Sequence, residues 1–210
     1  MLETRGLYAI VDPACCRGRD PEDVAAAILD GGCAVLQLRA KGLSDRALLG
    51  LSRRTAARAR AAGVPFVVND RADLAALVSA GGLHLGQDDL PIAEARRVVG
   101  PAVVLGRSTH VRAQARVAIE EGADILAFGP VFETTSKARP DPVVGLDELA
   151  EVCRMSGRPV VAIGGVTAAR ASAIVRAGAR WGAAISAICG ADDPREAARA
   201  LHAALGGDAS

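Results

Sequence analysis

Three basic side chains, Arg39, Lys41 and Lys137, follow short apolar runs of the chain, and two carboxylates, Asp70 and Asp89, follow two others. Cations gathered in one place invite an anionic ligand such as a di- or polyphosphate. Carboxylates supply the hard oxygen ligands that Mg²⁺ accepts alongside substrate phosphates and water. Together they point to a metal pyrophosphate; the competing reading is a set of loop ions that pair with one another in solvent. Neutral polar groups occupy similar positions. Gln37 and Asn69 close two apolar runs, Ser108-Thr109-His110 closes another, and Thr134-Thr135-Ser136 leads into Lys137. Gly164-Gly165 and Ile185-Ser186 follow the last two runs, where backbone N–H groups often hold a monophosphate. His84 lies inside an apolar run and is expected to be a satisfied core residue. Neither a histidine dyad nor a nucleophile elbow accompanies these groups.

The elements that must position them are visible as short apolar runs alternating eight times with amphipathic Ala/Arg/Glu/Leu-rich segments. The pattern predicts strands over Leu7–Val11, Val35–Arg39, Phe66–Asn69, Leu83–Gly86, Val103–Arg107, Ile125–Phe128, Val160–Ile163 and Gly182–Ile185. The helices between them run from Pro21–Leu29 at the start to Pro194–Leu205 at the end, each of these two opened by an aspartate and a proline. Small-residue pairs, Gly31-Gly32, Gly81-Gly82, Gly122-Ala123 and Gly178-Ala179, stop helices just before strands and read as a decayed internal repeat. Eight βα units in 210 residues, with no early G-x-G-x-x-G fingerprint, predict an α/β fold: a single-domain (β/α)₈ TIM barrel over residues 1–205, with 206–210 as a flexible tail. In such a barrel the carboxyl ends of the strands face one active site, which would bring the polar residues together. Thr134–Val144, the longest strand-to-helix connection, is expected to act as a lid.

Composition narrows the ligand class. A net charge of +1 offers no basic field for nucleic acid, and 2% aromatic residues leave few platforms on which bases could stack. The five cysteines form no C-x-x-C pair and are read as packing residues of a protein in the reducing cytoplasm. No apolar run is long enough for a membrane span. The expected partners are phosphorylated small molecules, with a homodimer as the assembly to look for.

The motifs Gln37-Leu38-Arg39-Ala40-Lys41, Val68-Asn69-Asp70, His84-Leu85-Gly86-Gln87-Asp88-Asp89, Gly106-Arg107-Ser108-Thr109-His110, Phe128-Gly129-Pro130 and Ala162-Ile163-Gly164-Gly165 resemble, in this order, those of the thiamine phosphate synthase family and its close relative, the thiazole tautomerase. The resemblance spans the chain from Leu7 to Ser186. It implies a transferase that joins 4-amino-2-methyl-5-(diphosphomethyl)pyrimidine to 4-methyl-5-(2-phosphoethyl)thiazole and releases pyrophosphate. It further implies that Gln37 meets the pyrimidine, that Arg39, Lys41, Asn69, Ser108 and Lys137 hold the diphosphate, and that Asp70 and Asp89 bind Mg²⁺. Leu38 and Ala40 belong to the same substrate-binding segment. Thr134, Thr135, Ser136, Gly165, Ile185 and Ser186 would surround the thiazole phosphate, and Arg39, Lys41, Ser108 and Lys137 would carry the catalysis. Ala40 stands where many members have an acidic residue, and Phe132-Glu133-Thr134 is similar to tautomerase-like sequences. Two alternatives to the synthase therefore stay open: an isomerase aromatising a thiazole carboxylate phosphate, and a non-catalytic binder of thiamine-phosphate-like ligands. The full set of diphosphate and metal positions favours the synthase, since a tautomerase has no diphosphate to ionise.

Overall fold

The computed structural model of the chain describes residues 3–134 and 142–208. Thr135, Ser136 and Lys137, with most of the expected lid, lie outside the described residues. Among these, eight parallel strands close into a barrel in chain order: β1 Gly6–Val11, β2 Val35–Leu38, β3 Phe66–Asn69, β4 Gly82–Leu85, β5 Val104–Thr109, β6 Ile125–Phe128, β7 Val160–Ile163 and β8 Trp181–Ala184. Closure is made by β1 against β8, with Gly6 opposite Trp181 and Ala9 opposite Ala184. The helices are α1 Pro21–Gly31, α2 Asp45–Ala61, α3 Ala72–Leu77, α4 Ile92–Val99, α5 Arg112–Glu120, α6 Gly145–Ser156, α7 Ala168–Arg176, α8 Ser186–Cys189 and α9 Pro194–Ala204. The α/β barrel expected from the alternation is the one observed.

Local chemistry explains the boundaries. Asp20 accepts from Glu22 N at the start of α1, and Asp193 accepts from Arg195 N and Glu196 N at the start of α9; both helices place proline in the first turn. Five strands differ from expectation in their bounds: β1 begins one residue early at Gly6, β2 stops at Leu38, β4 runs one residue early over Gly82–Leu85, and β5 and β8 are displaced as well. β5 runs two residues past Arg107, because Ser108 and Thr109 pair with Ala127 and Phe128 of β6 and the Thr109 hydroxyl donates to Ala127 O at 3.0 Å. Ser108 is thereby fixed on a strand rather than in a loop. β8 begins one residue early, at Trp181, which closes the barrel against Gly6.

Strand alternation splits the apolar residues into two cores. Tyr8, Ile10, Val35, Val67, Ile125, Ala127, Val161, Trp181 and Ala183 fill the barrel interior. Leu7, Ala9, Val11, Leu36 and Leu38 face outward and pack under helices with Ile28, Leu51 and Leu201. Inside, the aliphatic layers stop short of the carboxyl ends of the strands. That is where the polar residues begin.

Candidate active site

Inward positions change from apolar to polar on moving toward the strand carboxyl ends: Val35 gives way to Gln37 and then Arg39, Val67 to Asn69, and Val104 through Gly106 to Ser108. The first polar layer is a directed chain. The Tyr8 hydroxyl donates to Gln37 Oε1 at 2.8 Å, and Gln37 Nε2 donates to Asn69 Oδ1 at 3.1 Å. Burial pushes the Tyr8 phenol well above its usual pKa, so it stays a donor and sets the polarity of both amides. The Asn69 oxygen is then committed as acceptor, and its amide N–H groups are the ones a ligand would meet. Beside it, His84 Nε2 lies 2.9 Å from Ser108 Oγ. The ring fits because its strand partner is Gly106, where a Cβ would come within 2.7 Å of His84 Nδ1. His84 is thus part of the site lining rather than the core residue expected from sequence.

Charged groups form a second layer. Arg39 Nη1 donates to Oδ2 of Asp12, a carboxylate only 4% exposed. The other oxygen, Oδ1, accepts from Ala14 N at 3.0 Å and caps the 3₁₀ turn Pro13–Cys15. Lys41 Nζ lies 3.1 Å from Asp70 Oδ2. Asp70 holds a left-handed backbone (φ 64°), with its N–H bonded to His84 O at 2.8 Å. Such a conformation is tolerated by aspartate and is common where structure serves a site. Burial raises the Asp70 carboxyl pKa, and the neighbouring Asp89 carboxylate raises it further, against the opposing pull of Lys41. Asp89 Oδ2 accepts from Gly86 N at 2.6 Å. The buried Arg107 holds the loop carrying Asp89 through bonds to Gln87 O at 3.2 Å and Leu90 O at 3.1 Å.

Two adjacent carboxylates, one of them raised in pKa by burial and by its neighbour, form a donor set that a divalent cation would satisfy. Among the described residues no group of three or more His, Cys, Asp or Glu is suited to hold a metal alone. A pair of carboxylates is a donor set of the kind that Mg²⁺ accepts when substrate phosphate and water complete its shell.

Across the mouth lie the Gly164-Gly165 turn and the start of α8. Both glycines have positive φ, 97° and 64°; a Cβ on Gly164 would sit 2.5 Å from Pro130 Cα, and one on Gly165 2.4 Å from Glu133 O. Only glycine fits there. Arg170 Nη1 donates to Gly165 O at 2.7 Å. His110 binds Gly129 O through Nδ1 at 2.6 Å and also lines the site.

The first polar layer, Arg39, the glycine turn and the start of α8 border a cavity of about 880 Å³. Of the residues expected from sequence, Gln37, Arg39, Asn69, Ser108, Thr134, Gly165, Ile185 and Ser186 line it. Lys41, Asp70 and Asp89 cluster at the adjoining ends of β2, β3 and β4 without lining it. Leu38 is buried in the outer core, with Ala40 packed against that core. Sequence reading missed Tyr8, Asp12 and Arg170.

A closed (β/α)₈ barrel with a largely apolar cavity that carries polar groups at the strand carboxyl ends defines a barrel enzyme. Comparison with known proteins narrows the class. The family profile described as thiamine monophosphate synthase matches residues 7–188. The chain is 47% identical over 200 residues to a thiamine-phosphate synthase of Anaeromyxobacter dehalogenans, covering 95% of this chain and 87% of that one. It is 42% identical over 199 residues to one of Roseiflexus, covering 95% and 84%. The solved thiamine phosphate pyrophosphorylase of Pyrococcus furiosus superposes with a TM-score of 0.87 at 31% identity, covering 96% of this chain and 95% of that one. The chain belongs to the thiamine monophosphate synthase family.

Proposed function

We propose that this chain condenses 4-amino-2-methyl-5-(diphosphomethyl)pyrimidine with 4-methyl-5-(2-phosphoethyl)thiazole to give thiamine phosphate and pyrophosphate. The observation that carries the reading is the gathering of Arg39, Lys41, Asp70 and Asp89 at one rim, beside a cavity of about 880 Å³. The synthase names of the relatives support this reaction over the tautomerase reading.

Gln37 and Asn69, oriented from below by Tyr8, would bind the pyrimidine and fix its angle. Arg39, Lys41 and Ser108 would hold the diphosphate, joined by Lys137. Asp70 and Asp89 would hold Mg²⁺, which when bound supplies positive charge to the phosphate oxygens. The bond that breaks joins the methylene carbon to the diphosphate oxygen, and its electron pair leaves with pyrophosphate. The thiazole nitrogen then donates its lone pair to that carbon. Negative charge grows on the departing oxygen, so cations fixed there bind the transition state more tightly than the ground state. No proton must be removed from the reacting carbon, so this step asks for no general base. Apolar walls from Ile10, Val161 and Ile163 would keep water from the pyrimidine-methyl cation. A cytoplasmic setting belongs to the same proposal and is supported by five free thiols.

Purified protein supplied with both substrates and Mg²⁺ should yield pyrophosphate and thiamine phosphate in equal amounts. Absence of product at enzyme concentrations close to that of substrate would overturn the reading.

A further inference from the structure

We infer that Arg170 is the side-chain cation that recognises the phosphate of the second substrate and sets the preference for the phosphorylated thiazole over its alcohol. The inference rests on the proposed function. It concerns a residue that lies beyond the motifs discussed so far, on α7, one turn after the Gly164-Gly165 pair.

Arg170 is held in place from two sides. Nη1 donates to Gly165 O at 2.7 Å, and the guanidinium carbon stands 4.6 Å from the centre of the Phe132 ring. The glycine is part of the arrangement, since a Cβ on Gly165 would lie 2.9 Å from Nη1. A guanidinium stacked on an aromatic face and tied to a carbonyl loses little further freedom when it meets an anion. One of its five N–H donors is used by Gly165, so a planar fork remains for phosphate oxygens. The side chain lines the cavity together with Gly165, Thr167, Ile185 and Ser186, on the wall opposite the Lys41–Asp70–Asp89 cluster.

Charge distribution favours the same role. Arg39 also lines the cavity, but its charge is balanced by the buried Asp12. Among the described residues no carboxylate forms an ion pair with Arg170. Its guanidinium, held by a carbonyl and an aromatic face, stands at the end of the cavity where a phosphate monoester dianion would rest. Backbone N–H groups alone would give that end directional bonds but no full charge. A guanidinium provides both, and it discriminates against a ligand that lacks the phosphate.

The test compares Arg170→Gln with the unaltered protein in steady-state kinetics, using the thiazole phosphate, the corresponding thiazole alcohol and the pyrimidine diphosphate. Loss of a charge-assisted hydrogen bond predicts a rise in KM for the thiazole phosphate on the order of 10- to 100-fold. The KM for the pyrimidine diphosphate should hold, and the preference for phosphate over alcohol should shrink by the same factor as the rise. Arg170→Lys, which keeps the charge, should recover part of that preference and decides the matter if the glutamine variant does not fold. An unchanged KM for the thiazole phosphate, or equal losses toward phosphate and alcohol, would overturn the inference and leave the proposed reaction standing. If the unaltered protein forms no product, that reaction falls by itself. Calorimetric titration with the thiazole phosphate then decides on Arg170: weaker binding by Arg170→Gln supports it, while equal binding, or none by the unaltered protein, overturns it.

Discussion

Asp12 uses each carboxylate oxygen for a different purpose, one closing the turn after β1 and the other holding Arg39 at the cavity. Replacing it with asparagine keeps the size and one acceptor but removes the charge opposite a guanidinium whose side chain is only 23% exposed. Breaking a buried ion pair by removing one partner typically costs 3–5 kcal/mol; with Arg39 partly solvated, about 2–3 kcal/mol is expected for Asp12→Asn. Urea denaturation would read this, and the KM for the pyrimidine diphosphate should rise because Arg39 loses its anchor. An Asp12→Asn protein with unaltered stability and KM would show that the pair does not position Arg39. The same scale shows what a linear reading can recover. Gln37, Arg39, Asn69 and Ser108 stand out because polar groups close apolar runs, and barrel strands aim such groups inward. Tyr8 and His84 do not, since an aromatic or a lone histidine inside an apolar run has the appearance of core. Their roles depend on the stagger between strands, which puts Tyr8 under Gln37 and His84 opposite Gly106, and stagger is a property of the closed sheet. Asp12 carried a weak signal, standing two residues past the inward Ile10, itself two past the inward Tyr8.

At the level of elements, α9 is fastened to β1 by one titratable group. His202 Nδ1 accepts from Leu7 N at 3.1 Å, and Gly6 and Gly207 leave room for the ring; a Cβ on either would approach it within 2.5 and 2.2 Å. Burial lowers the His202 pKa below the ordinary 6.5, with Asp208 opposing the effect. The neutral ring is the form that accepts from Leu7, and protonation at Nδ1 would end that bond. Below pH 6.5 the unfolded chain therefore takes up a proton more readily than the folded one, and stability must fall as the pH drops. Above that value the contribution is complete and flat. Thermal unfolding between about pH 7 and pH 5 should show a steeper loss of Tm in the unaltered protein than in His202→Gln, which keeps an acceptor without titrating. Parallel slopes would exclude His202 as the source. Element types and order were legible from periodicity and capping. Several strand edges were not, among them the end of β5, which continues to Thr109 because β6 offers partners, and the start of β8, which lies at Trp181 because β1 does the same. Both are decided by pairing across the sheet.

For the whole molecule, closure is what converts a dispersed set of residues into a site. Asp12 and Ser186 lie at opposite ends of the chain, yet β1 and β8 are neighbours, so the first and last strands share a rim with Arg39 and Arg170. The apolar interior below leaves that rim as the place where polar groups collect. Two ligand regions result, a cation–carboxylate cluster over β2 to β4 and a glycine-bounded end over β7 and β8, which suits a reaction joining two phosphorylated molecules. The most direct measurement is the single-turnover rate of pyrophosphate release from pyrimidine diphosphate bound with the thiazole phosphate, as divalent cations are removed and returned. Chelation should stop release and added Mg²⁺ should restore it. Release that proceeds undiminished in excess chelator would contradict a diphosphate drawn from carbon by metal and cations at this rim.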